Sequence, residues 1–210
     1  MGRPGVSEAD GSKSPGRLIV ISGPSGSGKS TLVNRLLDEH PELPLRRSIS
    51  ATTRAPRPGE RNGVDYDFVT PEEFEAHRDD LLEHAVVHGH LYGTPAGPIR
   101  RMLAQGFSVI LVIDVQGAFQ IREKVPDALL IFIQVPGEAE LEARLRARGT
   151  DAEATIQRRL VNARAEIALA GKYDHQVLND DLDRAVAELV SILSRNHHDH
   201  ESRTRTGTHP

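Results

Sequence analysis

The 210-residue chain contains no cysteine, which excludes a disulfide framework, a zinc ribbon, a redox dithiol and a cysteine nucleophile. That absence suits a reducing compartment, and a cytoplasmic location is the expectation. Nor is there an excess of positive charge. With 26 basic and 30 acidic residues the net charge is −4, so the overall balance points to neither a nucleic-acid nor a membrane partner, and any anion site must be local. No apolar run approaches the ~20 residues of a membrane span; the longest, at 109–113 and 129–133, are strand-sized. Residues 1–16, rich in Gly, Ser and Pro, have no apolar signal segment and read as a disordered extension. Residues 196–210 read as a disordered tail, in which His197, His198 and His200 fit a solvated, frayed terminus better than a metal site. The remaining length suits one α/β folding unit with a small inserted lobe.

What is present begins with apolar punctuation. Residues 17–22 form a β-branched run that enters glycine-rich sequence, and 108–113 and 129–135 look like companion strands buried on both faces. Residues 175–178 make a further strand. Between them lie helical stripes: Leu32, Val33, Leu36 and Leu37; Ile156, Leu160, Ala163, Ile167 and Ala170; and Leu182, Val186, Leu189, Val190 and Leu193. A helix over 138–148 should stop at Gly149, with Thr150 and Glu153 as a capping box for the next. Strands separated by helices predict a mainly parallel sheet covered on both faces, with ligands at the carboxyl ends of its strands. Residues 48–94 break the alternation. That stretch is polar, holds Ala55-Pro-Arg-Pro-Gly59, and carries one clear helix opened by Thr70-Pro71-Glu72-Glu73, as an inserted lobe would.

Gly23-Pro24-Ser25-Gly26-Ser27-Gly28-Lys29-Ser30-Thr31 satisfies G-x-x-x-x-G-K-[ST] between a buried-type strand and a helix, the context this motif demands. Its glycines let successive N–H groups turn toward phosphate oxygens, and the following helix adds its positive end. Lys29 suits the β/γ-phosphates and the Ser30 hydroxyl suits magnesium. A bound nucleotide triphosphate follows, but the acceptor does not, because GTPases, motor ATPases and small-molecule kinases share the loop. Downstream, Arg54 and Arg57 stand three apart on a segment stiffened by prolines, as a clamp for a phosphate monoester would. Asp114 ends an apolar strand, which suits either a magnesium contact, direct or through water, or a cap for the helix starting at Val115.

Ser50-Ala-Thr-Thr-Arg-Ala-Pro-Arg-Pro-Gly-Glu60, followed by Gly63-Val-Asp-Tyr66-Asp-Phe68, resembles the signature of the guanylate kinase family. Further matches, in order, are Leu82-Glu83-His84-Ala85, Tyr92-Gly93-Thr94, Ile113-Asp114-Val-Gln116-Gly117, Arg144-Leu-Arg-Ala-Arg148-Gly149, Arg158-Arg159-Leu160 and Val177-Leu-Asn179-Asp-Asp181. The resemblance implies a P-loop NTPase-type α/β fold that uses ATP, with Mg2+, to phosphorylate GMP. Its implied layout is a core of 17–47, 95–137 and 160–195, a GMP-binding lobe of 48–94 and a lid of 138–159. It implies that Arg54, Arg57, Tyr66 and Tyr92, with Ser50 nearby, bind the GMP phosphate. Glu83 would accept from the guanine N1–H and amine, with Thr94 at the carbonyl edge and Asp114 close by. Lys29, Arg54, Arg144, Arg148 and Arg159 would be the catalytic cations, and Asn179 would lie near the adenine. Guanine offers a carboxylate two adjacent donors where adenine presents an acceptor, which agrees with Glu83. Val112 and Leu91 depart from the family pattern, which usually has an acid and an aromatic there. Two alternatives stay open at this point: a scaffold-type binding module that has lost catalysis, against which the intact loop speaks, and a kinase for another monophosphate, against which Glu83 and Thr94 speak. Oligomeric state is not readable.

Overall fold

The computed structural model describes residues 16–147 and 152–206. Residues 1–15 of the expected extension, and Arg148, Gly149 and Thr150, therefore lie outside the described residues. The apolar runs form β1 (Leu18–Ser22), β7 (Ser108–Val112) and β8 (Leu129–Gln134), joined by β9 (His175–Leu178) and a short β2 (Leu45–Arg47). All pair in parallel, in the order β2-β7-β1-β8-β9. Because side chains alternate along a strand, one sequence feeds two cores. Ile19, Ile21, Ile110, Ile131 and Ile133 pack with Leu32, Val33 and Leu36 of α1 (Lys29–Glu39) and with Val186, Leu189 and Leu193 of α7 (Leu182–Thr206). Leu18, Val20, Val109, Leu111, Leu130 and Phe132 face the other way, onto Ile99 of α3 (Ala96–Ala104) and Val115, Ala118 and Ile121 of α4 (Val115–Lys124). Burying such a side chain stabilises by about 1.5–3 kcal/mol, so the doubly covered strands are the rigid platform of the molecule.

The insertion is a second sheet, which the sequence had not declared. Its order is β4 (Asp67–Phe68), β3 (Ala51–Thr52), β6 (His90–Pro95) and β5 (Leu81–Val87). β5 and β6 form a hairpin closed by His88 and Gly89, whose φ values of 53° and 85° give the left-handed two-residue loop that matches strand twist. α2 (Pro71–Ala76) starts as expected: the Thr70 hydroxyl accepts from the Glu73 N–H at 3.2 Å and the Glu73 carboxylate accepts from the Thr70 N–H at 2.7 Å.

α5 (Glu138–Ala147) and α6 (Glu153–Ile167) make a helical hairpin around Leu141, Leu145, Ile156, Leu160 and Ala163. The capping box expected from Thr150 and Glu153 is not the start of α6: Ala152 is the N-cap, and the Glu153 carboxylate instead receives both terminal nitrogens of Arg146, at 2.6 and 2.8 Å. α7 also differs from expectation. It runs on to Thr206 instead of ending near Arg195, since neither Gly nor Pro interrupts the sequence before Gly207. Among the described residues no helix is long and apolar enough to cross a membrane.

Candidate active site

The loops after β1, β7 and β9 all leave the carboxyl edge of the parallel sheet, where strand order reverses around β1. The loop after β1 is shaped by Gly23, Gly26 and Gly28, with φ of 142°, 97° and 85°. Gly23 has no room for a side chain, since a Cβ there would lie 2.4 Å from the Ile133 carbonyl oxygen. Lys29 Nζ donates back to the carbonyls of Gly23 at 2.6 Å and Pro24 at 2.9 Å, so the ammonium is held over the loop. Asn179, after β9, donates from Nδ2 to the Ser27 carbonyl at 2.7 Å and is buried, so it acts on the loop backbone itself.

One cleft of about 280 Å³ gathers Gly23, Ser25, Gly26, Gly28, Lys29, Ser30 and Thr31 on its core side with Ser50, Arg57, Tyr66, Glu83 and Tyr92 on its small-sheet side, and Asp114 between them. A larger groove of about 1030 Å³ lies at the amino ends of the strands, along Leu18, Phe74, Ile99 and Ala128, away from the phosphate loop. The chemistry-bearing residues favour the smaller cleft.

Glu83 is 2% exposed and Thr94 is fully buried; Thr94 Oγ1 donates to Glu83 Oε1 at 2.5 Å and also meets Ser50 Oγ at 3.3 Å. Thr94 thus stands behind Glu83. Burial is the main cause that pushes the Glu83 carboxyl up to about 7, with Asp114 adding like charge and Thr94 opposing. Of the two roles expected of Asp114, the helix cap is the one seen. Its Oδ1 caps α4 by accepting from the Gly117 N–H at 2.9 Å, and its carboxyl, lining the cleft, is raised chiefly by burial.

Arg54 is differently placed from Arg57. Its Nε donates to Tyr92 Oη at 3.0 Å, its terminal nitrogens reach Glu60 at 2.9 and 3.0 Å, and one also reaches the Ala55 carbonyl at 2.7 Å. Glu60 additionally accepts from the Arg57 backbone N–H at 2.7 Å, closing the Pro-Gly turn. Four of the five Arg54 N–H groups are therefore committed, whereas the Arg57 side chain lines the cleft. Tyr66 packs edge-on to Tyr92 at 5.9 Å, and burial raises its hydroxyl.

From the helical hairpin, buried Arg159 donates to Ser25 Oγ at 3.1 Å and Arg144 donates to the Asn179 carbonyl at 2.9 Å, so both touch the elements around the phosphate loop. Sequence reasoning missed two carboxylates. Glu60 needed knowledge that the Pro-Gly turn closes on Arg54. Glu166 lines the cleft from α6, where burial pushes its carboxyl up against the pull of Lys29, with Asp114 reinforcing the rise. It stands seven residues after Arg159, two helical turns on the same face, and that spacing was the available signal.

A phosphate loop at the switch point of a parallel sheet, facing a second sheet that presents arginine, tyrosine and a buried carboxylate across one cleft, defines a P-loop phosphotransferase with a separate acceptor lobe. The family model described as guanylate kinase matches residues 15–196. A guanylate kinase of Thermosynechococcus vestitus is 54% identical over 181 residues, covering 85% of this chain and 94% of that protein. One from Rubrobacter xylanophilus is 50% identical over 182 residues, covering 86% and 94%. The crystal structure of guanylate kinase from Anaplasma phagocytophilum superposes with a TM-score of 0.73 at 35% identity, over 88% of this chain and 87% of that one. The chain belongs to the guanylate kinase family.

Proposed function

We propose a division of labour among the residues of this cleft for transfer of the γ-phosphoryl group of ATP to GMP, the reaction that gives ADP and GDP. The observation that carries the reading is the single cleft shared by Lys29 and Ser30 with Arg57, Tyr66, Tyr92 and Glu83. The loop N–H groups and the amino end of α1 cradle the ATP phosphates, and Lys29 turns from the Gly23 and Pro24 carbonyls onto the β/γ oxygens. Arg57, Tyr66, Tyr92 and Ser50 hold the GMP phosphate, while Arg54, fixed by Glu60, orients Tyr92 and keeps one N–H for that phosphate. Glu83, aimed by Thr94, accepts from guanine N1–H and the exocyclic amine. A GMP phosphate oxygen forms the new bond to the γ phosphorus as the bond to the β–γ bridging oxygen breaks, and the electron pair leaves with ADP. The nucleophile is already an anion, so no general base is required. Arg159 and Arg144 supply cationic stabilisation from a lid over 138–159, with Arg148 a third cation of that stretch of sequence, because the transition-state charge sits on oxygens that no side chain attacks.

Ser30 and Asp114 offer hard oxygen donors in the same cleft, and two half-buried carboxyls with raised pKa, Asp114 and Glu166, are the setting in which a divalent cation is welcome. Their donor chemistry fits Mg2+. When bound there with ATP, it would neutralise charge building on the phosphate oxygens.

The test is ADP release with ATP and Mg2+, comparing GMP, AMP, CMP and UMP, with Lys29→Ala as reference. Turnover with GMP alone, reduced at least about 100-fold by Lys29→Ala, is expected. Comparable turnover with AMP, or none with GMP from folded protein, would overturn the assignment.

A further inference from the structure

β5, the strand that carries Glu83, is an edge strand of the small sheet, so one side of its backbone has no strand partner. Helix α4 of the core covers that side. Gln120 Nε2 donates to the His84 carbonyl at 2.7 Å, and the His84 N–H donates to Gln120 Oε1 at 3.2 Å. One side-chain amide thus makes both hydrogen bonds a neighbouring strand would make. One turn on, Lys124 Nζ donates to the Leu82 carbonyl at 2.6 Å. One turn back, Gly117 lies so close to the strand that a Cβ would stand 2.5 Å from Glu83 Oε2. Residues 117, 120 and 124 share one helical face, and they meet β5 at Glu83, His84 and Leu82. The same helix is capped by Asp114. Glu83 and Asp114, which reach the cleft from different sheets, are therefore fixed to a single rod.

We propose that Gln120 is a positioning residue for nucleobase selection, holding β5 on α4 so that the Glu83 carboxylate is presented to guanine at a fixed place relative to the phosphate loop. The inference rests on the reading of Glu83 as the guanine acceptor. It predicts a split in kinetic constants that a general structural role would not produce, because the bonds Gln120 makes end on the strand of the acceptor side alone.

Steady-state kinetics of Gln120→Met, which keeps length and removes both hydrogen bonds, should give a GMP KM raised about three- to tenfold. ATP KM and kcat at saturating GMP should stay within about twofold. Gln120→Glu, which still accepts from the His84 N–H, should fall between. In a Glu83→Gln background the effect of Gln120→Met should vanish, since the two act on one contact. Unchanged GMP KM in folded Gln120→Met, or equal rises for ATP and GMP, overturns the proposal. Should Gln120→Met fail to fold, Lys124→Met carries the same test with an expected GMP KM rise of about threefold, and no rise overturns it. If Glu83→Gln leaves GMP KM unmoved, the reading of Glu83 fails and the proposal with it; if Glu83→Gln raises it and Gln120→Met does not, the proposal alone fails.

Discussion

Glu83 is the residue at which protonation and selectivity meet. A carboxyl buried to 2% exposure and raised to about 7 is protonated for half of the molecules near neutral pH, yet only the ionised form accepts from both guanine donors. With Glu83 as the proposed guanine acceptor, GMP binding should therefore expel a proton in acid. GMP KM should be flat above pH 7 and climb toward about tenfold per unit below it, beyond the contribution of the nucleotide phosphate, whose second ionisation lies near pH 6. Glu83→Gln should remove that component, raise GMP KM at neutral pH and leave ATP KM unchanged; a pH profile of GMP KM in both proteins decides it. Stability moves the other way. Since the folded carboxyl binds its proton more tightly than the unfolded one, its contribution is fully present below the ordinary glutamate range and is lost as pH rises through about 7. The nucleotide-free protein should accordingly melt at a lower temperature above neutrality than below it, less so in Glu83→Gln. Glu83 is a strand residue turned inward, and in the sequence only the ordered set of motif matches singled it out.

Among the elements, the phosphate loop was legible because its constraints are local. Gly28, at φ 85°, has a second reason to be glycine that no local rule carries: a Cβ would lie 2.4 Å from Asn179 Nδ2, the group that holds the Ser27 carbonyl. Gly28→Ala should thus raise ATP KM about tenfold or more, through a strained left-handed turn and the displaced amide, with GMP KM less affected. Paired kinetics with Asn179→Ala check this, and a Gly28→Ala protein with ordinary ATP affinity would refute it. β1, β7 and β8 announced themselves because strands buried on both faces are written in unbroken apolar residues. β3 and β4, at two residues each, are too short to carry a period, and in β5 the alternation is broken by the carboxylate it presents inward. Function overwrote the pattern.

For the molecule as a whole, the helical hairpin is tied to the phosphate loop by Arg159 on Ser25 and Arg144 on the Asn179 carbonyl. If the hairpin is the lid, Arg159→Ala should lower kcat at least about 100-fold and ATP KM much less, and Arg159→Lys should restore little, since a lysine cannot reproduce the guanidinium fork. Single-turnover measurements that isolate the chemical step would decide it. The second sheet falls where the composition breaks, at 48–94, whereas the fastening of that sheet by α4 was not legible, because it depends on which helix lies across an edge strand after folding.

The seat for the nucleotide and the interior of the hairpin also share a wall: a Cβ on Gly26 would lie 3.0 Å from Leu141 and 3.1 Å from Leu145, two of the residues that hold α5 to α6. Repacking those leucines therefore reshapes the floor under the phosphates. Substitutions in that small apolar cluster should change ATP affinity as well as the stability of the hairpin, although neither leucine lines the cleft.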